Sequence, residues 1–154
     1  AANHSYYLRN CYLDNTLSRG EMVLAGRKLS LGDVSIPVYN LAAKEDHIAP
    51  ARSVFLGCQY FGGDVQYVMS GSGHIAGVVN PPAAGKYQHW TGAKPEGDFE
   101  AWIASATEHP GSWWNNWQSW IEGHDNRRVA ARKPGGKKLK PLGDAPGNYV
   151  SVRI

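Results

Sequence analysis

The sequence predicts an α/β fold with a mostly parallel sheet. Its 154 residues, 42% hydrophobic and 19% charged, have the size and composition of one globular domain. Residues 34–43 form a short apolar run typical of a buried strand, residues 51–61 have helical spacing, and residues 64–70 have the pattern of a second strand. Because parallel strands need a helix-sized connection, this order indicates the crossover unit of a parallel sheet.

Two segments precede this unit. Residues 5–15 place four apolar or aromatic side chains at helical spacing, which predicts a short amphipathic helix in a segment that ends at Gly20. Residues 21–35 predict two short strands about Gly26. In the apolar run that follows, three residues are expected in the sheet interior: Val38, Tyr39 and Leu41.

Beyond residue 79 the pattern is less regular. Residues 80–98 are expected to be an irregular excursion, because they begin with Asn-Pro-Pro and contain scattered glycines. Residues 99–107 and 112–121 predict two helices. Three tryptophans of the second helix share one face, at 113, 117 and 120, and we expect them to pack on the core. A platform that binds a polymer or sugar is the alternative.

The composition changes after residue 121. Residues 122–154 contain 8 basic and 3 acidic side chains, with Gly and Pro but no periodicity. We therefore predict a folded part over 1–121 and a basic tail over 122–154. The tail is either solvated or bound to an anionic partner, for which nucleic acid, an anionic granule and CoA phosphates are the candidates. The sequence shows no membrane span and no signal peptide, and its two cysteines favour a reducing, cytoplasmic setting.

Two polar loops follow the predicted parallel strands. KEDHIAP at 44–50 contains Asp46, and GSGHIAG at 71–77 contains His74. Because the carboxyl ends of parallel strands meet at one sheet edge, catalytic groups are expected there. An acid followed by a histidine is the order of the α/β-hydrolase triad, in which the carboxylate orients the imidazole that deprotonates a nucleophile. Gly71 and Gly73 are expected to supply positive φ for the second loop.

The third member of such a triad is not visible. No G-x-S-x-G turn or cysteine equivalent surrounds Cys11, Cys58 or Ser72, so both cysteines are expected to be small buried hydrophobes. The nucleophile is therefore expected upstream of Ala1. His47 is expected to hydrogen-bond or pack rather than to react. The remaining histidines lack a metal-ligand spacing, and no nucleotide-binding loop occurs, so neither a metal nor a cofactor is expected.

Longer segments carry a more specific resemblance. EDHIAP at 45–50, SGHIAGVVNPP at 72–82, EHPGSWWNNWQSWI at 108–121 and APGNYV at 145–150 resemble the C-terminal part of class I polyhydroxyalkanoate synthases. The opening SYYLRNCYLDN resembles the segment that precedes the catalytic acid in that family. The resemblance extends over nearly the whole chain, from about residue 4 to residue 150.

The resemblance implies the C-terminal portion of an α/β-hydrolase-like fold. It implies an acyltransferase that polymerises (R)-3-hydroxyacyl-CoA, with the short 3-hydroxybutyryl thioester as the expected substrate, on a cysteine and releases CoA. The family pattern places the catalytic acid at Asp46, where it is thought to help activate the substrate hydroxyl, and the catalytic histidine at His74. The CoA thioester is the substrate, so no separate cofactor is implied. A homodimer of the full-length enzyme at the surface of a cytoplasmic polyester granule is the implied setting. Nucleic-acid binding is not expected, because no groove-entering motif accompanies the basic tail.

Two alternatives remain open. An esterase or polyester depolymerase would use the same acid and histidine with water as the acceptor. A noncatalytic granule-binding remnant would use the Trp-rich helix and the basic tail instead. The 154 residues alone are expected to be inactive, because the nucleophile is missing, and to aggregate, because an isolated part of a sheet exposes an unpaired edge.

Overall fold

The computed structural model describes residues 1–133, 135 and 138–153. The chain begins with α1 (Ala2–Tyr7), which continues as a π-helical turn over Leu8–Leu13, so the helix predicted within 5–15 is confirmed. No residue of either segment is buried, and Cys11, expected to be buried, is exposed. The helix ends before the hairpin and contacts it through Tyr6, whose hydroxyl donates to the Val23 carbonyl at 2.8 Å.

A small hairpin follows, as the sequence predicts. Strands β1 (Val23–Leu24) and β2 (Arg27–Lys28) pair antiparallel across a turn in which Ala25 and Gly26 have φ of 49° and 76°. Positive φ at both central residues matches the twist of the flanking strands. A 3₁₀ turn at Leu31–Asp33 then leads to the main sheet, with Ser30 as its capping acceptor.

The main sheet is built on the predicted crossover unit. β3 (Val38–Ala43) pairs in parallel with β4 (Val65–Ser70), and α2 (Ala51–Cys58) connects them. The sheet continues with β5 (Gln88–Thr91) and β6 (Thr107–Pro110), in the order β3-β4-β5-β6. Two of the three pairings are antiparallel, so the sheet is mixed and the prediction of a mostly parallel sheet is wrong for the described residues.

The two strands that the sequence did not predict explain this difference. β5 lies in the segment expected to be irregular, and its chain returns from β4 through a loop with only a 3₁₀ turn at Pro82–Ala84. Parallel pairing needs a crossover, which α2 supplies between β3 and β4. Between β5 and β6 the chain forms α3 (Phe99–Ser105), whose first turn is capped by the Asp98 carboxylate.

The core lies between the sheet and helices α2 and α3. Phe55 is fully buried and its ring contacts three others, those of Tyr67, Phe99 and Trp102, at centroid distances of 5.3 to 5.9 Å. Along β3 the first four residues are only half-buried, which corrects the interior placement of Val38, Tyr39 and Leu41. The cause is position, since β3 is an edge strand of the sheet among the described residues.

The opposite face of the sheet carries α4 (Trp114–His124), which confirms the helix predicted over 112–121. None of its residues is buried, and Trp117 is 40% exposed, so its tryptophans pack only partly on the sheet. The helix ends three residues past the boundary predicted at residue 121. Positions 134, 136, 137 and 154 of the predicted basic tail lie outside the described residues. Within the described residues, no helix is long and apolar enough to cross a membrane.

Candidate active site

The loops that follow β3 and β4 start at the same level of the sheet. Ala43 and Ser70, the last residues of the two strands, are partners in the parallel register. The backbone then joins the two loops directly, because Lys44 N–H donates to the Ser70 carbonyl at 2.8 Å and Glu45 N–H donates to the Ser72 carbonyl at 3.0 Å. The side chains that follow are thereby held close together.

Asp46 is fixed by the backbone of its own loop. Its Oδ1 accepts hydrogen bonds from the N–H groups of Ile48 at 2.8 Å and Ala49 at 2.9 Å, and its side chain is only 6% exposed. The Ala49 N–H is the largest cause that lowers the pKa of the carboxyl, to about 2, with His74 and the Ile48 N–H acting in the same direction against a burial effect. Asp46 is therefore ionised at neutral pH.

His74 meets the other carboxylate oxygen. Its Nδ1 lies 2.7 Å from Asp46 Oδ2, so the structure brings together the two residues that the sequence singles out. An ionised carboxylate can only accept, so Nδ1 must carry the proton. In the neutral ring Nε2 is then the unprotonated nitrogen, which can accept a proton from another group. The imidazole is 47% exposed, so it is open to reactants from outside the described residues.

The turn that carries His74 is tightly packed at a glycine. An added Cβ at Gly77 would lie 2.5 Å from the Gly71 carbonyl oxygen and 2.9 Å from that of Gly73, closer than such atoms approach in proteins. Positive φ occurs at Ser72, at 67°, and not at Gly71 or Gly73, which corrects the sequence expectation. Gly71 and Gly73 flank Ser72 in the chain. Sequence reasoning missed Gly77, although a glycine three residues after a loop histidine is a visible signal.

Neither cysteine completes the site. The Cys58 thiol is buried, donates to the Val54 carbonyl at 3.3 Å and accepts from the Asn40 amide at 3.2 Å. Burial raises its pKa, so the reactive thiolate is disfavoured and the expectation of a buried structural cysteine is confirmed at this position. Among the described residues, no Cys or Ser side chain forms a hydrogen bond with His74.

The other histidines lie apart from this pair or in exposed positions. His47 is exposed, next to Asp46 in the chain. His89 is buried and stacks on His109, its partner across β5 and β6, at a centroid distance of 5.1 Å, and burial lowers its pKa. The part of the chain that the structure describes contains no cluster of three or more His, Cys, Asp or Glu side chains that could hold a metal ion.

The site combines an ionised aspartate with a histidine whose Nδ1 proton it accepts, at the carboxyl edge of an α/β sheet. Enzymes that use an activated nucleophile have this arrangement of acid and histidine. Comparison with curated proteins narrows this class. The chain is 68% identical over 153 residues to the poly(3-hydroxyalkanoate) polymerase subunit PhaC of Rhizobium meliloti (strain 1021), a match that covers 99% of this chain and 25% of the relative.

Two more distant relatives carry similar names. A poly(3-hydroxyalkanoate) polymerase of Methylorubrum extorquens is 58% identical over 154 residues, covering 99% of this chain and 26% of the relative. The polymerase subunit PhaC of Cupriavidus necator is 37% identical over 153 residues, with 97% and 26% covered. No protein-family model matches the chain. The chain belongs to the poly(3-hydroxyalkanoate) polymerase family, and it spans about a quarter of the length of these relatives.

Proposed function

We propose that this chain supplies the acid and the histidine of a poly(3-hydroxyalkanoate) polymerase. The activity is an acyl transfer in which (R)-3-hydroxyacyl units from CoA thioesters are joined into a polyester and CoA is released. The observation that carries the proposal is the 2.7 Å contact between His74 Nδ1 and Asp46 Oδ2 at adjacent strand ends, in a chain similar to polymerases over nearly all its length.

The first half-reaction uses His74 as a base. Nε2 takes the proton of a cysteine thiol that lies outside this sequence, and the resulting thiolate attacks the thioester carbonyl carbon. A carbon–sulfur bond to the enzyme forms, the bond to the CoA sulfur breaks, and the leaving CoA thiolate receives the proton from the imidazolium. Asp46 stabilises that imidazolium, because its ionised carboxylate is already in place at Nδ1.

The second half-reaction transfers the acyl group to a hydroxyl. The 3-hydroxyl oxygen of another unit attacks the enzyme thioester, an ester bond forms, and the cysteine thiolate leaves. Both oxygens of Asp46 already accept hydrogen bonds and its side chain is almost fully covered, which favours His74 as the group that takes the hydroxyl proton. We propose that Asp46 assists through the imidazole rather than by direct contact with the substrate.

The test uses the full-length chain that carries this sequence, supplied with (R)-3-hydroxybutyryl-CoA. The proposal predicts CoA release together with an insoluble polyester. CoA release with free 3-hydroxybutyrate and no polymer would instead indicate hydrolysis, the esterase or depolymerase alternative. Absence of CoA release would favour a noncatalytic role.

The proposal extends to the partners that the family resemblance implies. These are a polyester granule and a second copy of the full-length chain, both in the cytoplasm. Cosedimentation with polyester particles, and the mass of the full-length chain in solution by light scattering, test them separately. A monomer that stays in the supernatant would contradict both.

A further inference from the structure

The turn that carries His74 is held by its surroundings on both sides of the histidine. At its start, Gly71 N–H donates to the Gln88 carbonyl at 2.7 Å and the Ser72 carbonyl accepts from Glu45 N–H at 3.0 Å. Within the turn, Gly77 N–H donates to the Gly73 carbonyl at 2.9 Å and Val79 N–H donates to the Ile75 carbonyl at 2.8 Å. These bonds close the turn on itself but do not fix it relative to the sheet. Beyond the histidine, the Val78 carbonyl, four residues further along the chain, makes the contact with the surroundings.

Two indole groups donate to this one carbonyl. Trp113 Nε1 lies 3.1 Å and Trp114 Nε1 lies 3.0 Å from the Val78 oxygen. A carbonyl oxygen has two lone pairs, so both are used. The two rings can meet there because Trp113 caps α4 and Trp114 is its first residue, with ring centroids 6.4 Å apart and planes at 76°.

Helix α4 is itself fixed on the strands that carry the candidate site. Asn116 Oδ1 accepts from the Tyr39 hydroxyl of β3 at 2.9 Å and from the Gln66 amide of β4 at 3.0 Å. The Trp120 ring packs edge-on against Tyr39 at a centroid distance of 5.5 Å. The indoles therefore connect the His74 turn to a helix that is hydrogen-bonded to the same two strands, β3 and β4.

We propose that Trp113 and Trp114 are positioning residues for His74, which hold the Val78 carbonyl so that Nδ1 stays on Asp46 Oδ2. The imidazole is half-exposed, and its one side-chain hydrogen bond among the described residues is to Asp46, so the backbone of the turn determines where the ring lies. The expected effect on kcat rests on the proposed function. The expected effect on the position of the His74 ring rests on the geometry alone.

The experiment compares a double variant of the full-length chain with a control variant on the same helix. Trp113→Phe with Trp114→Phe keeps two aromatic rings and removes both N–H groups. Trp117→Phe is the control, because this tryptophan lies on the same helix and its indole makes no hydrogen bond among the described residues. The readouts are kcat and KM for CoA release, and the low-field proton NMR signal of His74 Nδ1–H.

We expect the double variant to lose about tenfold or more in kcat, with little change in KM, because a small displacement of the base affects the reacting geometry more than binding. Its His74 Nδ1–H signal should shift or broaden, while the control keeps both the rate and the signal. A purely structural role would lower the folded fraction without changing kcat per folded molecule.

Equal kcat and an unchanged His74 signal in the double variant and the control would overturn the inference. An unmodified chain that releases no CoA would refute the proposed function instead, and the NMR comparison would still decide the positioning role. If circular dichroism shows that the double variant is unfolded, the single variants Trp113→Phe and Trp114→Phe carry the same test, each expected to shift the signal less.

Discussion

Asp46 has two structural roles. One carboxylate oxygen accepts hydrogen bonds from the backbone of its own loop, and the other holds His74. Because its pKa of about 2 lies below the ordinary 3.8, the ionised carboxylate stabilises the folded state above pH 3.8, and this contribution is lost as the pH falls toward 2. The sequence predicted the pairing with His74 from the order of two strands and two loops. It could not predict the capping bonds, because these depend on backbone geometry within the loop.

The balance of these contacts predicts how the carboxyl titrates. In the native protein, carbon-13 NMR should show the Asp46 carboxyl still ionised at pH 3.8. In His74→Ala its pKa should rise but stay below the ordinary value, because the Ala49 N–H is the largest cause of the shift and remains. A pKa that returns fully to the ordinary value in that variant would show that the histidine, not the loop backbone, dominates.

Cys58 should behave as a core residue. Its thiol is buried between Asn40 and Val54, with a raised pKa, so iodoacetamide should label it only after unfolding. The matched comparison is Cys11, which is exposed in the described structure. Peptide mapping of the labelled full-length chain measures both. Rapid native labelling of Cys58, or loss of activity in Cys58→Ala without loss of folding, would contradict this role.

At the level of elements, the turn that carries His74 is tightly constrained at Gly77. Gly77→Ala should destabilise the protein by about 1–3 kcal/mol and lower activity, because the added methyl has no space against the Gly71 and Gly73 carbonyls. Gly57→Ala is the control, since nothing lies within 4 Å of its added Cβ in α2 and Ala favours a helix by roughly 1 kcal/mol. Urea unfolding of both variants measures the difference, and equal midpoints would contradict the packing argument.

The elements that local pattern could predict are those with a clear period. The hairpin about Gly26, the crossover unit and the helices at 99–105 and 114–124 are all present. Strand β5 was missed because its four residues include two polar and two aromatic ring side chains after a loop rich in Pro and Gly. Strand β6 was missed because Thr107–Pro110 has no apolar alternation. Both strands form through pairing with a neighbour rather than through their own pattern.

At the scale of the whole molecule, the sequence predicted the α/β class and the crossover unit better than the burial of individual residues. The α2 and α3 side of the sheet forms a continuous core, whereas the α4 side is only half-covered in the described residues. The burial of an edge strand such as β3 depends on its neighbours in space. The residue pattern of β3 itself does not specify those neighbours. The chain spans about a quarter of the length of its relatives, and β3 is the end strand of the sheet among the described residues.

The aromatic core makes the largest stability prediction. Phe55→Ala should cost about 3–5 kcal/mol in unfolding free energy, because Phe55 is fully buried against three aromatic rings. Its neighbour in the chain, Leu56, is 45% exposed, and Leu56→Ala should cost far less. Denaturant unfolding of the full-length variants compares them. A similar cost for the two substitutions would mean that the core is not centred on Phe55.

The central claim is that His74, held by Asp46, is the base of an acyl-transfer site. The most direct measurement is CoA release by the full-length chain with His74→Gln, compared with His47→Gln, a neighbouring exposed histidine that makes no contact with the Asp46 carboxylate among the described hydrogen bonds. We predict that His74→Gln lowers kcat by about 10²–10⁴-fold, the usual contribution of a general base, and that His47→Gln stays within a few-fold of the unmodified chain. Near-normal CoA release by folded His74→Gln would contradict the account.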